Sequence, residues 1–412
     1  MTDPVRIARL GHRGDGIAET PDGPLYIAGA LPGELVEVAP SASGKAKLLG
    51  IVEPSPERAF AFNPDSPACG GCGLRHLAPA AQLAWKRSLV VDALAFAGIR
   101  ADVEPCLDAH GAGRRRAALH ARMGADKAMR VGFMEAGSHA VVDLGEHDCP
   151  VLAPELKPAV EIVRALAFCV RGLHKPVDAI VTATLSGLDI DLRGLGRVPE
   201  ALRLNLASTA LKNDLARLSV HGETLIEARA PLVRFGKAEV VLPPGGFLQA
   251  TQAAEDALAA LVLEGVGEAR TVADLFAGSG TFSLRLAERA RVTAVETDAA
   301  SLAALDRAAR NTAGLLPVVT ERRDLFRRPL SAAEMKSFDA VVFDPPRAGA
   351  EAQSRALAES QVRRAVAVSC APATLGRDLR LLQDAGFRIS RVIPVDQFRH
   401  SAHVEAVAWL VR

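Results

Sequence analysis

The sequence predicts an α/β chain: a doubly wound sheet in its C-terminal part, preceded by a small β-barrel and a central α+β segment. Three observations carry this reading. Apolar strands alternate with helical stretches beyond residue 246, a glycine turn closes the first of those strands, and glycines and prolines punctuate the first 55 residues at close intervals.

In chain order, short strands are expected at 5–9, 25–28, 35–39 and 47–53, separated by Gly11, Gly14, Gly16, Gly23, Pro32 and Gly33. Turn residues at that spacing suit a small barrel better than any helical period. Pro54 and Pro56 mark a linker, and a cysteine-rich segment with Cys69 and Cys72 follows. Residues 80–97 read as an amphipathic helix whose apolar face is Leu83, Leu89, Val90, Leu94 and Phe96. Strand-like alternation returns at 179–192, a helix is expected at 200–215, and Pro243, Pro244, Gly245 and Gly246 form the next boundary. Strands are then expected at 271–276, 292–296, 340–344, 365–369, 389–394 and 404–411. The expected domains are therefore 1–55, 56–245 and 246–412.

Composition narrows the class. A chain of 412 residues fits two or three domains at ~150 residues each. Its 49 Lys and Arg against 48 Asp and Glu give a net charge of +1, which excludes a uniformly basic polycation and an acidic tail protein. No run reaches the ~18 apolar residues of a membrane span, so no membrane partner is expected. Residues 1–4 show neither the basic start nor the apolar core of a signal peptide, and a cytoplasmic monomer is expected. In a reducing compartment the six cysteines are ligands, nucleophiles or core residues before they are disulfide partners.

The stretch Asp274-Leu275-Phe276-Ala277-Gly278-Ser279-Gly280-Thr281 ends one strand and opens a helix. Its two glycines let the backbone turn sharply and approach a ligand. Glu296 closes the next strand, where a carboxylate can take two ribose hydroxyls. A dinucleotide fingerprint wants a third glycine where Ser283 stands. The opening Asp-x-Phe-x-Gly-x-Gly is instead the S-adenosylmethionine form. The competing view is an α/β turn without a ligand, and the acidic strand end weighs against it.

Asp344-Pro345-Pro346 stops a later strand in a stiff loop, and one strand on comes Ser369-Cys370-Ala371-Pro372. Cys370 thus lies at a strand end, just before a helix, where a helix N-terminus favours the thiolate. A buried structural cysteine is the ordinary alternative. A thiolate over a methyl-donor cleft suits a methyl acceptor that is C5 of a pyrimidine. Addition of sulfur to C6 makes C5 nucleophilic, and a base must then remove the C5 proton. Glu405 opens an otherwise apolar strand and supplies that base. His400 and His403 read as loop hydrogen-bonding groups.

Together these residues resemble the RNA (uracil-C5)-methyltransferases, which make 5-methyluridine in tRNA and bacterial 23S rRNA. The likeness runs nearly end to end. It implies a TRAM-type RNA-binding barrel at the N-terminus and a class I S-adenosylmethionine-dependent methyltransferase (Rossmann-like) domain at the C-terminus. It assigns Gln249, Phe276, Thr281, Glu296 and Asp324 to the methyl donor, alongside Asp274, Gly278 and Gly280 of the glycine turn. Asp344 would lie between donor and uracil, with Cys370 as nucleophile and Glu405 as base. The sequence departs from the family at Thr251 and Thr281, where relatives carry Asn.

Relatives acting on 23S rRNA hold a [4Fe–4S] cluster on Cys-x5-Cys-x2-Cys and a distant fourth Cys. Cys69, Cys72 and Cys149 match the last three positions, and Asn63 occupies the first. A cluster with a non-cysteine fourth ligand, a zinc knuckle and a relic of reduced thiols are the alternatives. For RNA, the resemblance points to Arg114, Arg115 and Arg116 with Arg122, Lys127 and Arg130, against the alternative of a solvated charged face. The target uridine must leave its stack, so a loop or single strand is expected, 23S rRNA before tRNA. Phe62, Phe133 and Phe247 are candidates for stacking on a base. A cytosine-C5 enzyme is the nearest rival, but the Asp344-Pro345-Pro346 loop lacks the second cysteine it needs. A non-catalytic RNA-binding factor is the rival from another class, and Cys370 together with Glu405 argues against it.

Overall fold

The computed structural model describes residues 4–40, 44–61, 69–145 and 149–412. Phe62 and Asn63 lie outside these residues.

The N-terminal strands form one six-stranded sheet that curls on itself. The segment 5–10 pairs with Leu35–Pro40 on one side and with Gly16–Thr20 on the other. Ile7, Ala18, Ile27, Val36 and Leu48 fill the interior. Gly16 is required there: a Cβ would come within 2.7 Å of the Ala30 carbonyl oxygen.

A seven-stranded sheet occupies the centre, built on Arg116–Met123, Val177–Thr184 and Gly187–Arg193. The alternation at 179–192 resolves into the last two of these strands, an antiparallel hairpin that turns between Thr184 and Gly187. The helices Ala159–Cys169 and Glu200–Lys212 contribute to the same apolar core.

The C-terminal sheet positions the site. Its strands are β1 (Leu107–Asp108), β2 (Thr271–Leu275), β3 (Arg291–Glu296), β4 (Val318–Arg322), β5 (Ala340–Phe343), β6 (Arg364–Ser369), β7 (Arg388–Asp396) and β8 (Glu405–Val411). Their order is β4-β3-β2-β5-β6-β8-β7-β1, parallel from β4 to β6, with β8 antiparallel to both of its neighbours. Val272 packs on one face and Ala273 on the other, so these strands are buried on both sides and read as continuous apolar runs. Strand β4 is half exposed, which is why its sequence shows no such run. The chain reverses direction across the sheet between β2 and β5, and this opens a crevice at their carboxyl ends.

Residues 79–108 join this C-terminal sheet. The helix Pro79–Phe96 packs on the helix Pro372–Asp384 and on β7, while β1 pairs with β7. Of the expected apolar face of Pro79–Phe96, Val90 and Leu94 are buried and Leu83 and Leu89 pack against the same core, whereas Phe96 is 97% exposed. Gln82 and Lys86 are buried as well, and apolar periodicity missed them because polar side chains satisfied inside the protein carry no apolar signal. Among the described residues, no helix is long and apolar enough to cross a membrane.

Candidate active site

A cleft of about 1040 Å³ runs along the carboxyl ends of β2 to β6. Its lining includes Gln249, Phe276, Gly278, Thr281, Glu296 and Asp324, and also Asp344, Cys370 and Glu405. Residues from five strand ends and the loop before Gln252–Val266 thus converge on one space.

The glycine turn is shaped by its dihedrals. Phe276, Gly278 and Gly280 have φ of +61°, +55° and +98°. A left-handed aromatic residue is uncommon and marks a backbone held by its surroundings. The two glycines differ. Gly278 has nothing within 4 Å of a Cβ position, so its backbone faces open space. A Cβ on Gly280 would meet Leu305 at 2.8 Å and Leu284 at 3.0 Å, so this glycine serves close packing behind the loop. Glu296 Oε2 accepts from Gly278 N at 3.0 Å, and its Oε1 accepts from Thr297 N at 2.6 Å and Asp298 N at 2.8 Å.

Asp274 lies under the loop, fully buried and outside the cleft lining. Its Oδ2 accepts from Ser283 Oγ at 2.5 Å, whereas Oδ1 is buried without a partner. Burial, reinforced by Asp344 and Glu296, pushes this carboxyl up to about 7. Asp324 Oδ1 accepts from Phe326 N at 3.0 Å, and the Phe326 ring lies 5.5 Å from that of Phe276.

At the reacting end, Ser369 pairs with Ala406 across β6 and β8. Continuing that register sets Cys370 beside Glu405 at the carboxyl end of β6. Burial pushes the Cys370 thiol up to about 11, with Glu405 and Asp344 adding to the rise and Arg347 opposing it. The expectation that the helix start would favour a thiolate is corrected here: desolvation and two carboxyl groups outweigh it. Glu405 is 4% exposed and raised to about 7 by burial, against a hydrogen bond from Gln397 and the charge of Arg347. Asp344 rises to about 8 through burial and the nearness of Glu405.

Two glutamines connect these carboxyl groups. Gln397 Nε2 donates to Glu405 Oε1 at 3.0 Å and to Gln249 Oε1 at 2.7 Å, and Gln249 Nε2 donates to Asp344 Oδ2 at 3.4 Å. No periodicity or spacing signal pointed to Gln397. The same turn is braced by Lys86, whose Nζ reaches Asp396 Oδ1 at 2.6 Å and the Phe398 carbonyl at 2.8 Å. His400 bonds to Gln82 and His403 approaches Arg347 at 3.2 Å, as loop groups.

The arginine run divides. Arg115 is spent on Gln252 and Glu255, Arg116 on the carbonyls of Gly245 and Gly246, Arg122 on Asp178, and Arg130 on Asp126. Each of these side chains thus has an acceptor within the protein, and Arg116 also lines the cleft. Arg114 lines the cleft, 5.5 Å from the Phe398 ring, with Nε buried and unpartnered. Lys127 is exposed, Phe247 is 62% exposed, and Phe133 and Phe247 both line the cleft.

Cys69, Cys72 and Cys149 gather beside Arg114. A hydrogen bond with Cys72 lowers Cys69 to about 6, the same bond raises Cys72, and burial raises Cys149. Even so, no group of three His, Cys, Asp or Glu among the described residues is spaced to hold a metal ion.

The fold and this cleft define a class I S-adenosylmethionine-dependent methyltransferase. Residues 244–412 match the family described as tRNA (Uracil-5-)-methyltransferase. An uncharacterized RNA methyltransferase of Brucella suis is 47% identical over 411 residues, covering 100% of this chain and 98% of that protein. The 23S rRNA (uracil(1939)-C(5))-methyltransferase RlmD of Chromohalobacter salexigens is 34% identical over 431 residues, covering 100% and 89%. The solved tRNA (uracil-54, C5)-methyltransferase of Pyrococcus abyssi has a TM-score of 0.76 at 22% identity over 99% of both chains, a likeness of fold. This chain belongs to the RNA (uracil-C5)-methyltransferase family and is an enzyme that acts on RNA.

Proposed function

We propose that the enzyme methylates C5 of a uridine in 23S rRNA through a covalent adduct between Cys370 and C6. The observation that carries this is the convergence of Cys370, Glu405 and Asp344 at one end of a cleft whose other end presents Gly278 and Glu296. S-Adenosylmethionine supplies the methyl group as an electrophile. Phe276, Gly278, Thr281, Glu296, Asp324 and Gln249 bind it, while Asp274 and Gly280 shape the loop from behind. The Cys370 thiolate adds to C6, electron density moves to C5, and C5 takes the methyl carbon as its bond to the donor sulfonium breaks, leaving S-adenosylhomocysteine. Glu405 then accepts the C5 proton, the C5–H electron pair reforms the C5=C6 bond, and the C6–S bond breaks to release the thiolate. Asp344, largely protonated at neutral pH, offers a hydrogen bond between donor and base.

In this reading residues 1–55 hold RNA beside the cleft, and Arg114 and Arg116, which both line it, are the members of their run placed to meet the substrate. The 23S assignment is supported by the curated relative at 34% identity. Mapping 5-methyluridine in total RNA from a deletion strain tests it: loss of a 23S site is expected, and loss of a tRNA site overturns it. Replacing Cys370 tests the chemistry. Cys370→Ala should abolish both turnover and the adduct with 5-fluorouridine RNA, and retained activity would exclude the mechanism.

A [4Fe–4S] cluster on Cys69, Cys72 and Cys149 is a second cofactor reading that rests on the family resemblance of these positions alone, since the three cysteines are not spaced to hold a metal ion. Iron and sulfide in anaerobically purified protein are expected, and absence of both overturns it. No step of the reaction passes through it.

A further inference from the structure

Both amide hydrogens of Gln397 are committed, and its orientation is imposed by the backbone. Gln397 Oε1 accepts from Ala250 N at 2.7 Å, which leaves Nε2 facing Gln249 Oε1 at 2.7 Å and Glu405 Oε1 at 3.0 Å. A flipped amide would set its NH2 against a backbone N–H and its oxygen against two acceptors. The residue is 1% exposed, and its turn is pinned on both sides, since Asp396 Oδ1 accepts from Lys86 Nζ at 2.6 Å and from Phe398 N at 2.8 Å.

The two carboxyl groups of the cleft are thus treated unequally. Glu405 receives a 3.0 Å bond from Gln397, while Asp344 receives a 3.4 Å contact from Gln249. Two carboxyl groups sharing a desolvated site do not both ionise near neutral pH, and a donated hydrogen bond favours the charged form of the one that accepts it. The titratable and charged groups facing Glu405 are Asp344 after β5, Arg347 in the following loop and Cys370 after β6; His403, beside Arg347, lies two residues before it.

We propose that Gln397 is a positioning residue that assigns the base: by donating to Glu405 and not to Asp344, it keeps the negative charge on Glu405 and the remaining proton on Asp344. The proposal rests on the covalent reading above and concerns only its last step. There the C5 proton passes to the Glu405 carboxylate, its electron pair forms C5=C6, and the sulfur leaves with the C6–S pair.

The test is Gln397→Met, which keeps the length of the side chain and removes its donors. With 5-fluorouridine RNA no C5 proton can be abstracted, so adduct formation reports on addition and methyl transfer alone. That adduct should form within about twofold of the wild-type rate. With ordinary uridine RNA, turnover at pH 7 should fall about tenfold, a denaturant-stable adduct should accumulate, and the acid limb should move up by about one pH unit, so that raising the pH restores the rate. An unshifted acid limb, or parallel loss of adduct formation and turnover, would overturn the assignment. If the wild-type enzyme forms no 5-fluorouridine adduct, the covalent reading itself fails, and that outcome is separable from the first two.

Discussion

Lys86 Nζ lies 2.6 Å from Asp396 Oδ1, and the two side chains are 0% and 3% exposed. This buried pair ties the helix Pro79–Phe96, far upstream in sequence, to the turn that carries Gln397. Removing one partner of such a pair leaves an uncompensated charge in the interior. Lys86→Met should therefore destabilise the protein by about 3–5 kcal/mol. The double variant Lys86→Met/Asp396→Asn should recover a large part of that loss. Denaturant melts of the two single variants and the double variant give the coupling directly.

Stability should also fall as pH rises. Asp344, Asp274 and Glu405 are raised to about 8, 7 and 7 in the folded protein, from ordinary values of 3.8, 3.8 and 4.5. Between those limits the folded state holds more protons than the unfolded chain. Their contribution is complete below about pH 4 and is lost as pH rises through 7 to 8. Asp344→Asn should thus stabilise the ligand-free enzyme at pH 8 by about 1–3 kcal/mol and flatten the dependence of Tm on pH. A lower Tm for this variant at pH 8 would contradict the burial cost assigned to Asp344.

Turnover should show the opposite trend. In the proposed mechanism Glu405 must be ionised to accept the C5 proton, and the Cys370 thiol, pushed up to about 11, must lose its own. Both requirements make the rate climb with pH through the neutral range. Glu405→Gln should slow product release by about 10²–10⁴-fold and trap the covalent adduct on ordinary uridine RNA. Gel-shifted, denaturant-stable complexes in single-turnover experiments would report it.

The two loop glycines should separate function from packing. Gly280→Ala places a methyl group 2.8 Å from Leu305 at a φ of +98° and should destabilise the fold by about 2–4 kcal/mol. Gly278→Ala meets nothing within 4 Å, so it should cost about 1 kcal/mol through its positive φ. Its larger effect should be on affinity for S-adenosylmethionine, read by calorimetry, since the new methyl group projects where the ligand would lie.

Much of the catalytic domain was legible because its strands are buried on both faces. That condition writes uninterrupted apolar runs such as those ending at Asp344 and Cys370. Strand β4 escaped because solvent reaches it, and the hairpin around Leu185 blurred into one alternating stretch. On the helix Pro79–Phe96 the inward Gln82 and Lys86 escaped for the reverse reason: Lys86 finds its partners about three hundred positions away, and Gln82 bonds the nearby carbonyls of Leu74 and Leu77 as well as the distant His400. The acceptors of the arginine run were likewise invisible in the sequence, because Gln252, Glu255 and Asp178 meet it only in the folded chain.

The sequence by itself determined which chemistry-bearing residues stand at strand ends: Asp274, Glu296, Asp344, Cys370 and Glu405. Strand periodicity and turn residues are local, and they place such residues without knowledge of the sheet order. Only the tertiary structure decided the electrostatics. Pairing of β6 with β8 brings Cys370 beside Glu405, and closure of the cleft removes water from both. Desolvation and charge coupling depend on what surrounds a group in space. The state of the thiol, the rise of the two carboxyl groups and the bridging place of Gln397 therefore arise only when distant segments meet.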